Sequence, residues 1–218
     1  MRYPAWIRSL GSVSAAIAVL AGCAGPAVDD VPRARDDGVL IRPGRPGFVV
    51  GTHGGHDTIP VVTDVARQTG YGLVVAPAAA FDPASPAAQA YERGVMDAAQ
   101  GPLHFYVEID GHAGAPCAGD LAIATVGVDR ELALRLRTLA ELIRDAHLRV
   151  NGEVERLAVV LAPGDGDAPA ARRDGVLRLP ERALRIELPR CARRDWRAMY
   201  GGVLADFVTQ AAVLPAGR

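Results

Sequence analysis

The 218 residues include 24 basic and 25 acidic side chains, which gives a formal net charge of −1 at neutral pH. A chain with no basic excess has little charge to hold the phosphates of a nucleic acid, so we expect no nucleic-acid partner. All 24 basic residues are arginines. The absence of lysine excludes a lysine nucleophile or a lysine Schiff base.

The N-terminal segment has the layout of a secretory signal. Arg2 and Arg8 stand there without an acidic residue, and the apolar stretch 13–20 that follows is shorter than the roughly 20 residues needed to span a bilayer. The stretch ends in Leu20-Ala-Gly-Cys23, which matches the bacterial lipobox. We therefore predict that residues 1–22 are a signal peptide and that Cys23 carries the lipid anchor. The alternative is an ordinary signal peptide that happens to contain a cysteine.

The rest of the chain is predicted to be a tether and one domain. Residues 23–47 are rich in Pro, Gly, Asp and Arg and predict a tether. Residues 48–218 predict a single α/β domain, since the 196 residues left after signal cleavage do not clearly suffice for two. The membrane contact would be the lipid anchor only, in the cell envelope facing the periplasm or exterior. Position 24, directly after Cys23, is alanine and not the aspartate that retains many lipoproteins in the inner membrane, which favours the outer membrane.

Strand and helix patterns alternate along the predicted domain. The predicted strands cover residues 48–50, 72–76, 104–109, 121–126, 157–161 and 183–188. The predicted helices cover residues 60–69, 86–100, 130–148 and 195–213. Such alternation predicts a three-layer α/β sandwich, with a largely parallel central sheet covered by helices on both faces. Open sheets of this class place their sites at the carboxyl ends of the strands, and three polar segments fall there.

The first polar segment is 51–57, which follows the strand at 48–50. His53, His56 and Asp57 offer nitrogen and oxygen ligands of the kind that zinc takes, and the glycines between them allow a tight turn. We predict His53 and Asp57 as metal ligands, with His56 as the alternative to Asp57. The competing interpretation is a polar turn in which Asp57 or Thr58 caps the next helix.

The second polar segment is the strand that begins at residue 104. Strand alternation puts residues 105, 107 and 109 on one face, and the ionisable residues on the other. Those polar-face residues are His104, Tyr106, Glu108, Asp110 and His112. A further metal ligand, Asp110 or His112, would explain this row of ionisable groups. The competing interpretation is an edge strand with one solvated face.

The third polar segment is 183–194. Alternation leaves Arg185 and Glu187 on the polar face of its strand. A carboxylate at a strand end suits a general base, so Glu187 is the candidate catalytic residue, and arginine matches the planar geometry of a substrate carboxylate. The candidate substrate-binding residues are Arg190, Arg193 and Arg194. The competing interpretation is a surface ion pair.

Taken together in this order, the three segments resemble the N-formylglutamate amidohydrolase-like family, which has the zinc carboxypeptidase-like hydrolase fold. The resemblance spans about residues 48–207: the family's first motif matches His53 and Asp57, its Val-Glu-Ile-His-Gly strand matches 107–111, and its late glutamate motif matches Ile186-Glu187-Leu188. Asp110 stands where relatives have the second metal histidine. The resemblance implies one zinc ion that polarises an amide carbonyl and activates water, with a glutamate that shuttles the proton.

These patterns predict a zinc-dependent hydrolase of an amide or peptide bond, acting on a small-molecule or peptide substrate that carries a carboxylate. The alternative is a catalytically degenerate envelope lipoprotein that binds a ligand or metal. Cys117 and Cys191 remain after acylation of Cys23, and in an exported protein we expect them to form a disulfide. The sequence predicts no oligomeric state.

Overall fold

The computed structural model describes residues 32–53, 55–76, 85–111, 119–149, 152–162 and 175–215. Within these residues the strands are β1 (Arg33–Ala34), β2 (Leu40–Arg42), β3 (Arg45–Thr52), β4 (Tyr71–Val75), β5 (Phe105–Gly111), β6 (Leu121–Val126), β7 (Val159–Ala162) and β8 (Arg182–Leu188). The helices are α1 (Ile59–Thr69), α2 (Pro86–Ala99), α3 (Arg130–Leu148), α4 (Arg190–Arg193) and α5 (Arg197–Val213). A 3₁₀ turn covers Gly175–Arg178.

Local sequence signals account for the helix ends. The Asp129 carboxylate accepts a hydrogen bond from the Leu132 amide at 2.7 Å and starts α3. Ser85 does the same for α2, accepting from the Ala88 amide at 3.1 Å. Helix α1 ends at Gly70, whose φ of 71° is the left-handed conformation that glycine adopts without strain. Thr58 precedes α1 but makes no side-chain capping bond.

The strands form one sheet of order β1-β2-β4-β3-β5-β8-β6-β7. Strands β4, β3, β5 and β8 run parallel, whereas β6 and β7 run parallel to each other and antiparallel to β8. Helices α1, α3 and α5 cover one face with the larger apolar core, and α2 with the 3₁₀ turn covers part of the other. The predicted three-layer α/β fold with a largely parallel sheet is confirmed.

The sheet extends further towards the N terminus than the predicted boundary at residue 48. Strand β2 pairs antiparallel with β4, and Val39 and Ile41 are buried against the α2 side of the sheet. The charged and glycine-rich surroundings of residues 39–41 suggested a tether, but these apolar side chains cover the edge of β4. The part of the tether prediction that covers residues 33–47 therefore needs correction, because these residues belong largely to the domain.

No helix in the described part of the chain is both long and apolar enough to cross a bilayer. Residues 1–22, Cys23, His112 and Cys117 lie outside the described residues.

Candidate functional site

Three neighbouring parallel strands bring the polar segments to one edge of the sheet. Strand β3 ends at Thr52, and His53 follows it directly. Strand β5 lies between β3 and β8, with Gly51 opposite Glu108 and Asp110 opposite Glu187. Since β5 is a central strand, its polar face is not the solvated face of an edge strand. The interpretation of β5 as an edge strand with one solvated face is therefore excluded.

His53, Glu108 and Asp110 form a compact cluster at this edge. The His53 Nε2 atom lies 3.2 Å from Glu108 Oε1 and 3.6 Å from Asp110 Oδ2. One ligand atom from each of the three residues lies within 4.8 Å of the others, which is a spacing that one metal ion can bridge. Both carboxylates are only 5% exposed, so they form a buried pair of acids.

A buried pair of tyrosines is hydrogen-bonded to Glu108. The Tyr91 and Tyr106 hydroxyls lie 2.8 Å apart, and the Tyr106 hydroxyl donates to Glu108 Oε2 at 3.4 Å. The Tyr91 ring also stands edge-on to the His53 ring, with centroids 6.1 Å apart. Gly51 admits this pair, because a Cβ there would collide with the Tyr91 hydroxyl and lie 2.9 Å from the Tyr106 hydroxyl.

Burial and charge set the protonation of the cluster. Burial and the neighbouring Glu108 charge raise the pKa of Asp110 to about 6, against the opposing charges of His53 and Arg185. Burial alone would raise the pKa of Glu108, but the His53 hydrogen bond and charge outweigh it, so the pKa is lowered. For His53, burial works against the charged form, yet the two carboxylates raise its pKa overall. Asp110 is therefore the carboxylate that takes up a proton first.

Arg185 places a positive charge beside the cluster. Its guanidinium lies 3.5 Å from Glu108 Oε1 and 3.3 Å from Asp110 Oδ2, and also 3.5 Å from Glu187 Oε1. Glu187 is thus joined to the cluster through Arg185, and its carboxylate is partly exposed. The surface ion pair considered for this segment exists, but it bridges a half-buried glutamate to two buried acids.

The first polar segment divides between two places. His53 enters the cluster, whereas Asp57 lies outside it and pairs with Arg190 at 3.8 Å between Oδ2 and Nε. His56 is exposed in the turn before α1. The physical reason is the turn between β3 and α1, which carries residues 56–58 away from the strand end. Neither predicted partner of His53 from its own segment reaches the cluster.

The arginines after β8 differ in their exposure and in the groups that they contact. Helix α4 begins at Arg190, before the predicted helix start at residue 195, and it fixes their directions. Arg193 donates from Nε to the Leu188 carbonyl at 3.2 Å, and its guanidinium lies directly against Gly111 at the end of β5. Arg194 is exposed. Of the three candidates, Arg193 is the one beside the strand end that carries Asp110.

Glu108 is the cluster member that the sequence interpretation did not assign. Alternation along β5 placed it on the same face as Asp110, and that periodicity was the available signal. His112, the alternative to Asp110, lies outside the described residues. The roles of His112 and of the pair Cys117 and Cys191 stay predictions, although Cys191 is buried at the start of α4.

The chemistry of the cluster fits a cation. Both Asp110 oxygens are buried and accept no hydrogen bond from the described residues, although Oδ2 lies 3.3 Å from the Arg185 guanidinium. Oδ1 keeps acceptor capacity that a cation would satisfy. Imidazole nitrogen with two carboxylate oxygens is a ligand set that zinc accepts. Arg185 is the competing countercharge, since it already stands beside both acids.

Comparisons with known proteins find only low similarity to this chain. No model of a known family matches the sequence, and neither does any curated protein. Among solved structures, a bacteriophage poly-gamma-glutamate hydrolase is 14% identical, with 79% of this chain and 86% of that chain covered and a TM-score of 0.48. The amidase AmiC2 of Nostoc punctiforme, an N-acetylmuramoyl-L-alanine amidase, is 16% identical over 78% of this chain and 97% of that chain, with a TM-score of 0.37. Because both TM-scores are below 0.5, these likenesses carry no weight for fold or activity.

Proposed function

We propose that the protein is a metal-dependent hydrolase of an amide or peptide bond, with zinc as the metal and a substrate that carries a carboxylate. The observation that supports this proposal is the cluster of His53, Glu108 and Asp110 at the carboxyl edge of three parallel strands. The buried Asp110 oxygens accept no hydrogen bond from the described residues, and a buried carboxylate of this kind is costly to keep without a cation. The resemblance to N-formylglutamate amidohydrolase-like enzymes suggests the same class of reaction.

The chain supplies three kinds of group for this reaction. His53, Glu108 and Asp110 would hold the ion, which when bound polarises a carbonyl and lowers the pKa of water. Glu187 is partly exposed at the same edge and would accept the proton of the attacking water and pass it to the leaving nitrogen. Arg193, with Arg190 and Arg194 further out, offers the guanidinium that would hold the substrate carboxylate.

Metal content tests the ligand set. The chain made without residues 1–22 should contain one zinc ion per molecule by elemental analysis, and His53→Ala should lose it. His104→Ala is the matched control, because His104 is exposed at the opposite end of the neighbouring strand and should leave the zinc content unchanged. A wild-type chain that binds no zinc, even when dialysed against it, would contradict the metal site.

Hydrolysis tests the role of Glu187. A panel of formyl and acyl amino acids, poly-glutamate and cell-wall peptides supplies candidate substrates. Glu187→Gln should lower kcat at least a hundredfold while zinc content stays the same, since only the proton acceptor is lost. Glu181→Gln is the control, because Glu181 is exposed and directly precedes the first residue of β8, at the end of the strand far from Glu187. Equal activity of the Glu187 variant and the control would remove Glu187 from the mechanism.

A second candidate function rests on Arg185. Its guanidinium lies 3.3 Å from Asp110, so it neutralises the acids without a metal, as in a ligand-binding module that has lost catalysis. In that case wild-type protein should bind no zinc, and Arg185→Gln should gain zinc binding because the competing charge is removed. Zinc in the wild type together with turnover would favour the enzyme.

We also propose that the protein is anchored in the cell envelope through Cys23, with the outer membrane as the expected location. Cys23→Ser should release the protein from membranes or leave it as an uncleaved precursor, because the several acyl chains of a mature lipoprotein hold it there. Fractionation of cells that express each form checks this. A Cys23→Ser variant that fractionates like the wild type would exclude the anchor.

A further inference from the structure

A cavity rich in arginine lies at the opposite edge of the sheet from the candidate active site. Its volume is about 310 Å³, and Arg42, Arg45 and Arg67 line it together with Tyr71. No carboxylate among the described residues lines it. Arg45 starts β3 and Tyr71 starts β4, whereas His53 follows the other end of β3. The cavity and the candidate active site therefore face in opposite directions.

The positive charge of the cavity is only partly balanced. The Arg45 guanidinium stacks on the Phe48 ring, 4.1 Å from its centroid, and makes no ion pair with a carboxylate of the described residues. Arg67 pairs with Asp64 at 2.9 Å, but Asp64 is shared with Arg197 at 3.6 Å. Arg42 also lines the cavity, but it is only 6% exposed and already interacts with another group, so the available positive charge comes from Arg45 and Arg67. The cavity therefore favours an anion.

Tyr71 adds a hydroxyl group to this region. The residue is 1% exposed, and its hydroxyl oxygen has no hydrogen-bond partner in the described part of the chain. Burial raises the pKa of Tyr71, and the nearby Arg45 charge opposes that rise. The hydroxyl thus stays protonated near neutral pH, and it is a donor without an acceptor. Phosphate oxygens are strong acceptors for both hydroxyl and guanidinium groups.

The chain enters the domain at this same edge. Arg33 pairs with Ile41, the residue before Arg42, so the described N-terminal end lies beside the cavity. Nine peptide units separate Cys23 from Pro32 and span at most about 30 Å when fully extended. A lipid on Cys23 would hold this edge of the domain close to the membrane surface.

We infer that the arginine cavity binds the phosphate of an anionic phospholipid head group, which orients the candidate active site away from the membrane. This inference rests on the proposed anchor at Cys23 but not on the proposed hydrolase activity. Guanidinium groups pair with phosphate in a two-pronged geometry, and arginines near an anionic lipid surface each strengthen binding.

Vesicle binding tests the inference without the anchor. The chain from residue 23, made without its signal and therefore without lipid, is sedimented with vesicles of phosphatidylcholine alone or of phosphatidylcholine and phosphatidylglycerol in equal parts. It should bind the anionic vesicles clearly more tightly. Arg45→Gln and Arg67→Gln should each weaken binding about fivefold, and together about 25-fold, as expected for loss of charges near an anionic surface. Both side chains are exposed, so these variants should fold.

Arg149→Gln is the matched control, since Arg149 is an exposed arginine just after the end of α3 and is not part of the cavity. Anionic-vesicle binding that the control retains and the double variant loses supports the inference. Equal loss in the control and the double variant, or no binding to either vesicle, overturns it. Binding of inorganic phosphate without vesicle binding also overturns it, because the ligand would then be a free anion. None of these results depends on acylation of Cys23 or on hydrolysis.

Discussion

Asp110 is the residue in which burial and charge oppose each other most clearly. Its pKa is raised from 3.8 to about 6 in the folded protein, because burial and Glu108 disfavour the ionised form. The folded state then binds the proton more tightly than the unfolded chain does. The contribution of this group to stability is fully present below pH 3.8 and is lost as the pH rises through about 6.

Asp110→Asn should therefore stabilise the metal-free protein in relation to the wild type as the pH rises. Between pH 5 and pH 8 we expect the difference in unfolding free energy to move in favour of the variant by about 1–2 kcal/mol. Urea unfolding in the presence of a chelator measures it. The same substitution should weaken zinc binding strongly, because the charged carboxylate ligand becomes a neutral amide and one of its oxygens is replaced by an NH2 group.

The control for this experiment is Asp120→Asn, because Asp120 is exposed just before β6. Its difference from the wild type should stay constant over the same pH range. If Asp110→Asn also shows a constant difference, the buried acid is not the titrating group.

The residues of the site show how far single-residue interpretation reaches. Asp110 was predicted because strand alternation fixes the direction of its side chain, and β5 is regular. Asp57 was expected beside His53 because only three residues separate them, but the turn between β3 and α1 sends it to Arg190 instead. Spacing in a strand predicts direction, whereas spacing in an irregular turn does not. The distances between the clustered side chains depend on strand neighbours that are distant in sequence.

Strand β3 has to meet two structural requirements of the site at once. It must bring His53 to the edge while its inner residue Gly51 leaves room for the Tyr91 and Tyr106 hydroxyls. Gly51→Ala should collide with the Tyr91 hydroxyl, push the tyrosine pair off Glu108, and destabilise the protein by about 1–3 kcal/mol. Zinc affinity should fall as well, because Glu108 loses its support.

A second substitution identifies the colliding atom. Tyr91→Phe removes that hydroxyl, so the penalty of Gly51→Ala should be smaller in the Tyr91→Phe background than in the wild type. Gly55→Ala is the control, since a Cβ there meets nothing within 4 Å. The unfolding free energies of the wild type, Gly51→Ala, Tyr91→Phe and the double variant give the penalty of Gly51→Ala in each background. An unchanged penalty would show that the tyrosine hydroxyl is not the obstacle.

Most elements could be predicted from periodicity and end signals. The predicted bounds of α3 and β6 match the structure, because α3 has a capping aspartate and a long apolar face while β6 is short and apolar. Strand β2 was missed because three residues cannot show a period, and its pairing with β4 decides its conformation. The reversed direction of β6 and β7 was missed for a related reason. Strand direction depends on which neighbour pairs, and alternation of elements does not specify it.

At the scale of the whole molecule, the two edges of the sheet carry different groups. One edge holds buried acids and faces the proposed substrate, and the other holds the arginine cavity beside the point where the chain enters. The parallel strands β3, β5 and β8 set this polarity, since all three begin at one edge and end at the other. A single lipid tether at the basic edge would give the molecule a defined orientation.

The predicted disulfide between Cys117 and Cys191 would brace the edge of the sheet that carries the candidate active site. Cys191 is buried at the start of α4, and Cys117 follows the end of β5 by six residues, a separation that reaches at most about 20 Å. Gly111 at that strand end lies against Arg193, so α4 and the end of β5 are neighbours. A bond closing a loop of about 75 residues should contribute about 4 kcal/mol to stability.

Thiol labelling of the exported chain that starts after Cys23 measures whether the bond forms. It should show no free thiol until a reductant is added. Reductant should then lower the unfolding free energy of the wild type by about 4 kcal/mol. Cys117→Ser should show the same loss without reductant, and adding reductant to this variant should change nothing further. Two free thiols in the oxidised protein would exclude the bond, because Cys117 and Cys191 are the only cysteines after residue 23.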